Sequence, residues 1–220
     1  IFCLRAGGIT LDQVDHIAIG RDTRAHIGKK LLYVAMHPPS PKALADRAKN
    51  MMKVGGLAEE LAVAFNTPAD ALSKKIKSVE HHRAHIASAF FVSEFERAAV
   101  LSVDGMGDFT STMWGIGDKN KINVIGTVHY PHSLGFIYTA ITQYLGFWKY
   151  GDEYKVMGLS GFGQPSFLLQ LRKLVIPKSG GSFKLDLRYF THHKTGVQMS
   201  WNGDEPVVGR QPGHRDFSDQ

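Results

Sequence analysis

The sequence predicts a mixed α/β fold in which an antiparallel meander is flanked by helices. Three segments with strand character, 98–103, 109–116 and 122–129, follow one another and are separated by a glycine-rich turn and a polar turn. Apolar residues recur at helical spacing both before and after this meander. The 220 residues, 43% of them hydrophobic, suffice to bury a substantial core.

The segments before the meander predict one strand and several helices. Residues 14–20 are mostly apolar and predict a short buried strand. Proline and glycine punctuate residues 21–57, so we expect an irregular connection there. Helices are predicted at 57–66, 69–76 and 79–95.

The segments after the meander predict two helices, at 133–146 and 165–175, and a strand at 183–189. Between the helices, residues 151–163 contain several glycines and predict a second phosphate-binding loop. Lys155 in this loop would pair with a phosphate or a developing oxyanion. A solvent-exposed loop with a snorkelling lysine is the structural alternative.

The first residues predict the tail of a helix that ends at Gly7–Gly8, and we expect both ends of the sequence to be truncations. Cys3 would be a core residue of that helix. A single cysteine excludes an internal disulfide framework and fits a reducing cytosol, so we expect a cytoplasmic protein. Apolar runs are too short for a membrane-spanning helix, which needs about 18 such residues.

The charge balance is moderately basic, with 26 basic and 20 acidic residues and a formal net charge of +6. This excess would attract anionic ligands. The basic residues are dispersed, with the densest group at 21–30, and no run of stacking aromatic residues accompanies them. The distribution therefore argues against a nucleic-acid partner.

The segment His81-His82-Arg83-Ala84-His85 predicts metal ligands. Residues four apart on a helix lie on one face, so the imidazoles of His81 and His85 can converge on one ion. Asp104 ends the next predicted strand, where its carboxylate would complete a site with open positions. In the structural alternative, Asp104 only initiates a turn. His82 points to another face and suits a supporting role.

The turn Asp104-Gly-Met-Gly-Asp108 predicts a phosphate cradle. Gly105 and Gly107 would allow positive φ and a close approach of the ligand to the main chain, with Asp108 closing the turn. A plain hairpin turn is the alternative.

Two stretches, VEHHRAHIASAFFVSEFERAAVLSVDGMGD at 79–108 and HYPHSLGFIYTAITQYLGFWKYGDEYKVMGLSGFG at 129–163, resemble the O-carbamoyltransferase family of nodulation protein U and the cephamycin and tobramycin carbamoyltransferases. The order and spacing of the motifs agree across 79–163. The resemblance implies a partial actin/Hsp70-like fold related to tRNA threonylcarbamoyl transferases. It also implies that 1–220 is an incomplete N-terminal carbamoyl-transfer domain, without its opening strands and its adenylate-forming C-terminal domain.

The resemblance further implies a function for the predicted sites. His81, His85 and Asp104 would bind a divalent metal, iron or alternatively zinc. The turn with Gly105, Gly107 and Asp108 would contact phosphate, and Gly135 would meet the nucleotide sugar. Carbamoyl phosphate and ATP would yield carbamoyl adenylate, from which the carbamoyl group passes to a hydroxyl of a sugar or natural product.

Three alternatives remain open at this stage. One is threonylcarbamoyl transfer to tRNA, one is a nucleotide-binding module without turnover, and one is a purely structural or metal-storing histidine-rich domain. The general base is not assignable from the sequence. His132 is a candidate, although a position at a helix N-cap explains it equally well.

Overall fold

The computed structural model describes residues 1–38, 56–149, 151–190 and 192–195. Two compact units divide the chain, Ile1–His85 and Ile86–Gln220, and the division falls inside a single helix. Most of the proline- and glycine-rich part of the predicted connection, residues 39–55, lies outside the described residues.

The first unit is mainly helical. Its elements are α1 Phe2–Gly7, β1 Ile17–Ile19, α2 Ile27–Met36, α3 Leu57–Phe65, α4 Ala69–Lys75 and β2 Ile76–Ser78, followed by the start of α5, His81–Phe90. Strands β1 and β2 pair in parallel, with Ile17 opposite Ile76. Just beyond them, the amide of Val79 donates to the carbonyl of Ile19 at 2.8 Å. This pairing leads the chain from β2 directly into α5.

Several predictions for this unit are confirmed. Helix α1 ends where Gly8 takes a left-handed conformation with φ of 62°, which glycine adopts without steric cost. Helices α3 and α4 occupy the two predicted segments to within a residue. Helix α5 is shorter than the predicted 79–95, because its chain turns away after Phe90.

Other predictions for this unit are wrong. The connection predicted at 21–57 contains α2, because strong helix formers such as Lys29, Lys30 and Leu31 outweigh the proline and glycine residues around them. Strand β1 has three residues instead of seven and is only half-buried, since it pairs with one short partner. Cys3 lies on the predicted helix but is exposed, because α1 buries none of its residues.

The second unit contains the predicted antiparallel meander, which is confirmed. Its strands are β3 Arg97–Gly107, β4 Thr110–Asp118 and β5 Lys121–His129, with β4 in the middle. Successive residues of a strand face opposite sides of the sheet. Met113 accordingly packs against Ile86 and Phe90 of α5, whereas Trp114 packs with a second cluster that includes Val128 and Phe183. Both faces of β4 are therefore covered.

The meander is followed by α6 Leu134–Tyr144, α7 Glu153–Ser160, α8 Leu168–Arg172, β6 Val175–Pro177, β7 Phe183–Leu185 and α9 His192–Thr195. Helix α6 confirms the helix predicted at 133–146. The loop predicted at 151–163 is wrong for most of its length, because Glu153–Ser160 is helical. The strand predicted at 183–189 stops after Leu185, where a short 3-10 helix begins.

These elements form a mixed α/β protein with small sheets, as the sequence predicts at the coarse level. Among the residues that the structure describes, no helix combines the length and the apolar character needed to cross a membrane.

Candidate metal centre

The start of helix α5 is held by Glu80, the residue that precedes it. The Oε2 atom of this carboxylate accepts a hydrogen bond from the amide of Arg83 at 2.8 Å. An amide in the first helical turn has no partner within the helix, so a side-chain acceptor stabilises the turn. His81 lies in this turn and His85 lies one turn later.

The imidazoles of His81 and His85 meet edge to face, with Nε2 atoms 3.0 Å apart and ring centroids 4.5 Å apart. Two nitrogen ligands of one ion, each about 2.0–2.1 Å from it, are separated by roughly 2.8–3.4 Å at octahedral to tetrahedral angles. The observed spacing therefore fits two ligands of a common ion.

A backbone contact orients the first of these rings. The Nδ1 atom of His81 lies 3.3 Å from the carbonyl oxygen of Gly20, at the end of β1. A carbonyl oxygen can only accept, so this contact requires the proton to be on Nδ1. In the neutral ring, the lone pair is then on Nε2, which faces His85.

The third predicted ligand, Asp104, lies on strand β3 and is half-buried. His81 and His85 belong to the first unit and Asp104 to the second, so the part of Asp104 in the site stays a prediction. The Oδ1 atom of Asp104 also accepts from the amide of Gly105 at 2.6 Å. Two imidazoles and a carboxylate form a donor set that suits divalent iron or zinc. The structure thus brings together the two predicted histidine ligands, His81 and His85.

The predicted glycine turn differs from expectation. Strand β3 continues through Gly105 and Gly107, with an irregular register between Val103 and Gly107, and neither glycine has positive φ. The chain reverses instead at Asp108 and Phe109, whose φ angles are 49° and 78°. Positive φ is therefore not the reason for glycine at positions 105 and 107.

Position 135 lies against the same strand, and the space there admits only glycine. A Cβ atom at this position would come within 2.5 Å of the amide nitrogen of Gly105 and within 2.7 Å of the carbonyl oxygen of Asp104. The hydroxyl of Ser133 donates to the carbonyl of Gly105 at 2.6 Å and accepts from Phe136 as the N-cap of α6. The first turn of α6 is therefore fastened to β3 beside Asp104.

His132 and Lys155 do not belong to the group of potential ligands. Ser133, and not His132, is the N-cap of α6, and His132 Nδ1 accepts from the amide of Leu185 at 3.1 Å. Burial lowers the pKa of His132, and Lys184, His192 and His193 lower it further. The neutral ring therefore has its proton on Nε2.

Lys155 has an ionic partner of its own. Its Nζ atom lies 2.7 Å from Oδ1 of Asp152, which is the second residue of the segment predicted as a loop. This hydrogen bond is the main cause that raises the pKa of Lys155, and it also lowers the pKa of Asp152. Lys155 therefore remains a cation and is not a proton acceptor at neutral pH.

These features define an α/β protein with a candidate site for a divalent metal. The family model described as "Carbamoyltransferase N-terminus" matches residues 1–203. The chain belongs to this family, which confirms the resemblance inferred from the motifs at 79–163.

Three relatives illustrate the extent of the similarity. An uncharacterized protein of Synechocystis sp. is 35% identical over 205 residues, which are 90% of this chain and 33% of the relative. The nodulation protein NolNO of Sinorhizobium fredii is 35% identical over 168 residues, 75% of this chain and 23% of the relative. The nodulation protein NolO of Bradyrhizobium diazoefficiens is 40% identical over 87 residues, 40% of this chain and 16% of the relative. The chain spans about a third or less of the length of these relatives.

Proposed function

We propose that this chain is the metal-binding part of an O-carbamoyltransferase. The reaction would transfer a carbamoyl group from carbamoyl adenylate, made from carbamoyl phosphate and ATP, to a hydroxyl of a sugar or natural product. Membership of the carbamoyltransferase N-terminus family supports the transfer of a carbamoyl group. The pairing of His81 with His85 is the observation on which the metal dependence rests, and Asp104 is the proposed third ligand.

The proposed metal is iron, with zinc as the alternative. Two imidazoles and one carboxylate leave coordination positions for substrate oxygens. A metal bound there would act as a Lewis acid toward the carbamoyl carbonyl or a phosphate oxygen. The His81 tautomer set by Gly20 already directs a lone pair toward His85, as a shared ligand site needs.

The proposed phosphate-binding region is the end of β3 with the start of α6. Amide groups at a helix N-terminus favour anions, and the 11-residue α6 starts directly beside Asp104 and Gly105. Gly105, Gly107, Asp108 and Gly135 are the proposed nucleotide contacts. Gly105 and Gly107 have no side chain that would block the approach of a ligand to the main chain.

The proposed chemistry is acyl transfer. The acceptor hydroxyl oxygen bonds to the carbamoyl carbon, the bond from that carbon to the phosphate oxygen breaks, and AMP leaves with the electron pair. The hydroxyl proton passes to a base. Lys155, held as a cation by Asp152, would balance negative charge rather than remove this proton. The lone pair of His132 is on Nδ1 and already accepts from Leu185, which makes this ring a weak candidate for the base.

The remaining proposals concern the wider protein. We propose an actin/Hsp70-like arrangement for the complete transfer domain and a separate adenylate-forming C-terminal domain in the full-length protein. The known relatives are three or more times longer than their matched parts, which leaves room for such a domain.

The first test concerns the metal. The purified chain is loaded with Fe²⁺ without oxygen or with Zn²⁺, desalted, and analysed for metal by mass spectrometry. We expect stoichiometric metal in the parent chain and in a His16→Ala control, which removes an exposed histidine of the same unit. The His81→Ala, His85→Ala double variant should lose it. Stoichiometric metal in the double variant would refute the proposed site.

The second test concerns the reaction. The full-length protein is incubated with carbamoyl phosphate, ATP and candidate hydroxyl acceptors, and products are identified by mass. A gain of one carbamoyl group on an acceptor is expected, and it should disappear with His85→Ala. Transfer of threonylcarbamoyl from threonylcarbamoyl adenylate to tRNA in a parallel reaction, or ATP binding without any product, would replace the proposal with one of the rival functions.

A further inference from the structure

The connection between β1 and α2 crosses the start of α5. At its beginning, the carbonyl oxygen of Gly20 lies 3.3 Å from Nδ1 of His81. At its end, Nε2 of His26 lies 4.0 Å from Oε1 of Glu80, which is 7% exposed. These contacts join residues more than 50 positions apart, and all of them lie within the first unit.

The two oxygens of Glu80 have different environments. Oε2 accepts from the amide of Arg83 and stabilises the first turn of α5, whereas Oε1 faces His26. His26 is itself fixed at the N-cap of α2, with φ of 56°. The hydrogen bond to Oε2 ties the carboxylate to the turn that carries His81, and His26 lies beside its other oxygen.

Gly20 permits a close approach of the main chain to α5. A Cβ atom at this position would lie 3.3 Å from the Cβ atom of Ala84, closer than most carbon contacts of this kind. Apart from the chain neighbours of Gly20, Ala84 is the only described residue within 4 Å of that Cβ position. The φ of Gly20 is not in the left-handed region, so the space beside Ala84, and not backbone conformation, favours glycine.

We propose that Gly20, His26 and Glu80 are positioning residues of the metal site. The Gly20 carbonyl selects the His81 tautomer with its lone pair on Nε2, and the pair Glu80–His26 holds the first turn of α5. Replacement of a group that orients a metal ligand through a hydrogen bond typically lowers the affinity for the metal by about 10–100-fold. The inference rests on the proposed function, because it assumes that His81 and His85 bind a metal.

The test measures binding of Zn²⁺ by competition with a chromophoric chelator and the visible spectrum of bound Co²⁺, whose absorption reports ligand geometry. Gly20→Ala should weaken Zn²⁺ binding about 10-fold and alter the Co²⁺ spectrum, because the new methyl group moves the carbonyl away from His81. The Gly20→Ala, Ala84→Gly double variant should recover both properties, since it removes the opposing methyl group. Circular dichroism checks that each variant is folded.

Matched variants separate positioning from general stability. Gly28→Ala, on α2, should bind Zn²⁺ like the parent, because outside the helix backbone no described residue lies within 4 Å of the new atom. Glu80→Ala should weaken binding, whereas Glu60→Ala removes an exposed carboxylate of the first turn of α3 and should not. His26→Ala should behave like Glu80→Ala.

The outcomes distinguish this inference from the proposed function. The positioning roles are overturned if the Gly20→Ala variant and the Glu80→Ala variant both bind Zn²⁺ with parental affinity. They are also overturned if the Gly20→Ala, Ala84→Gly double variant recovers neither affinity nor spectrum. Both outcomes leave the metal site intact. A parent chain that binds neither Zn²⁺ nor Co²⁺ overturns the proposed metal site itself, and the positioning roles with it.

Discussion

Three histidines near the start of α5 have different environments although they are almost adjacent in the chain. His81 and His85 direct their Nε2 atoms toward each other. His82 is fully buried and presents the edge or face of its ring to both, at centroid distances of 5.4 and 5.9 Å. Neighbouring residues of a helix point about 100° apart, so His82 supports the pair and does not join it.

Another buried histidine gives the protein a predicted sensitivity to acid. The ring of His192 is 1% exposed, and its Nε2 atom donates to the carbonyl of Pro131 at 2.7 Å. Burial lowers its pKa below the usual value, although the contact with Pro131 acts in the opposite direction. The unfolded chain therefore binds a proton more readily than the folded chain.

We predict that the free energy of unfolding decreases as the pH falls below about 6.5, the ordinary pKa of histidine. Above that pH both states contain the neutral ring, and no loss is expected from this group. Urea unfolding at pH 7.5 and 5.5 measures the loss. His192→Gln, which cannot titrate, should show a smaller loss than the parent, whereas His16→Gln, at an exposed position, should show the parental loss. Equal losses in all three proteins would contradict the prediction.

At the scale of elements, glycines determine how closely the helices and strands pack. A Cβ atom at Gly117 would lie 2.6 Å from the ring of Phe90, and one at Gly126 would lie 2.1 Å from the ring of Trp114. These residues lie on the two faces of the meander that the core clusters cover. At Gly135 the obstacle is the backbone of β3, which cannot turn aside as a side chain can.

We therefore predict opposite effects for two glycine substitutions in helices. Gly135→Ala should destabilise the protein by about 1–3 kcal/mol, because the new atom forces α6 away from β3. Gly158→Ala in α7 should stabilise it by roughly 0.5–1 kcal/mol, because outside the helix backbone no described residue lies within 4 Å of the new atom. Denaturant unfolding measures both. A neutral Gly135→Ala variant would show that the close approach to Asp104 and Gly105 is not required.

At the scale of the whole molecule, the proposed metal is expected to stabilise the fold by binding the histidine pair of α5. An ion that binds only the folded chain stabilises it in proportion to the logarithm of its concentration. The charge of +6 gives no general affinity for cations, so a stabilising effect would have to come from a specific site.

We predict that Zn²⁺ at 100 times its dissociation constant stabilises the chain by about 2.7 kcal/mol. For a protein of this size, such a gain raises the melting temperature by roughly 5–10 °C. Thermal melts with and without Zn²⁺ measure the shift. His81→Ala with His85→Ala should abolish it, and His16→Ala should preserve it. A shift of the same size in the double variant would place the bound ion elsewhere.

The sequence alone determined the features that depend on short spacing along the chain. Alternating and helical patterns located the meander, α3, α4 and α6, because the side chains of these elements repeat with the period of the element. The four-residue spacing of His81 and His85 likewise placed both rings on one helical face. The family resemblance followed from the same local motifs, and the family match confirmed it.

Only the tertiary structure decided which distant groups touch. The carbonyl of Gly20 meets a ring 61 residues later, Gly135 meets β3, and His132 accepts from a strand 53 residues beyond it. The positions of β3 and of its turn at Asp108 also depend on pairing with β4. Such contacts arise from packing between elements, and local periodicity contains no information about which elements pack together.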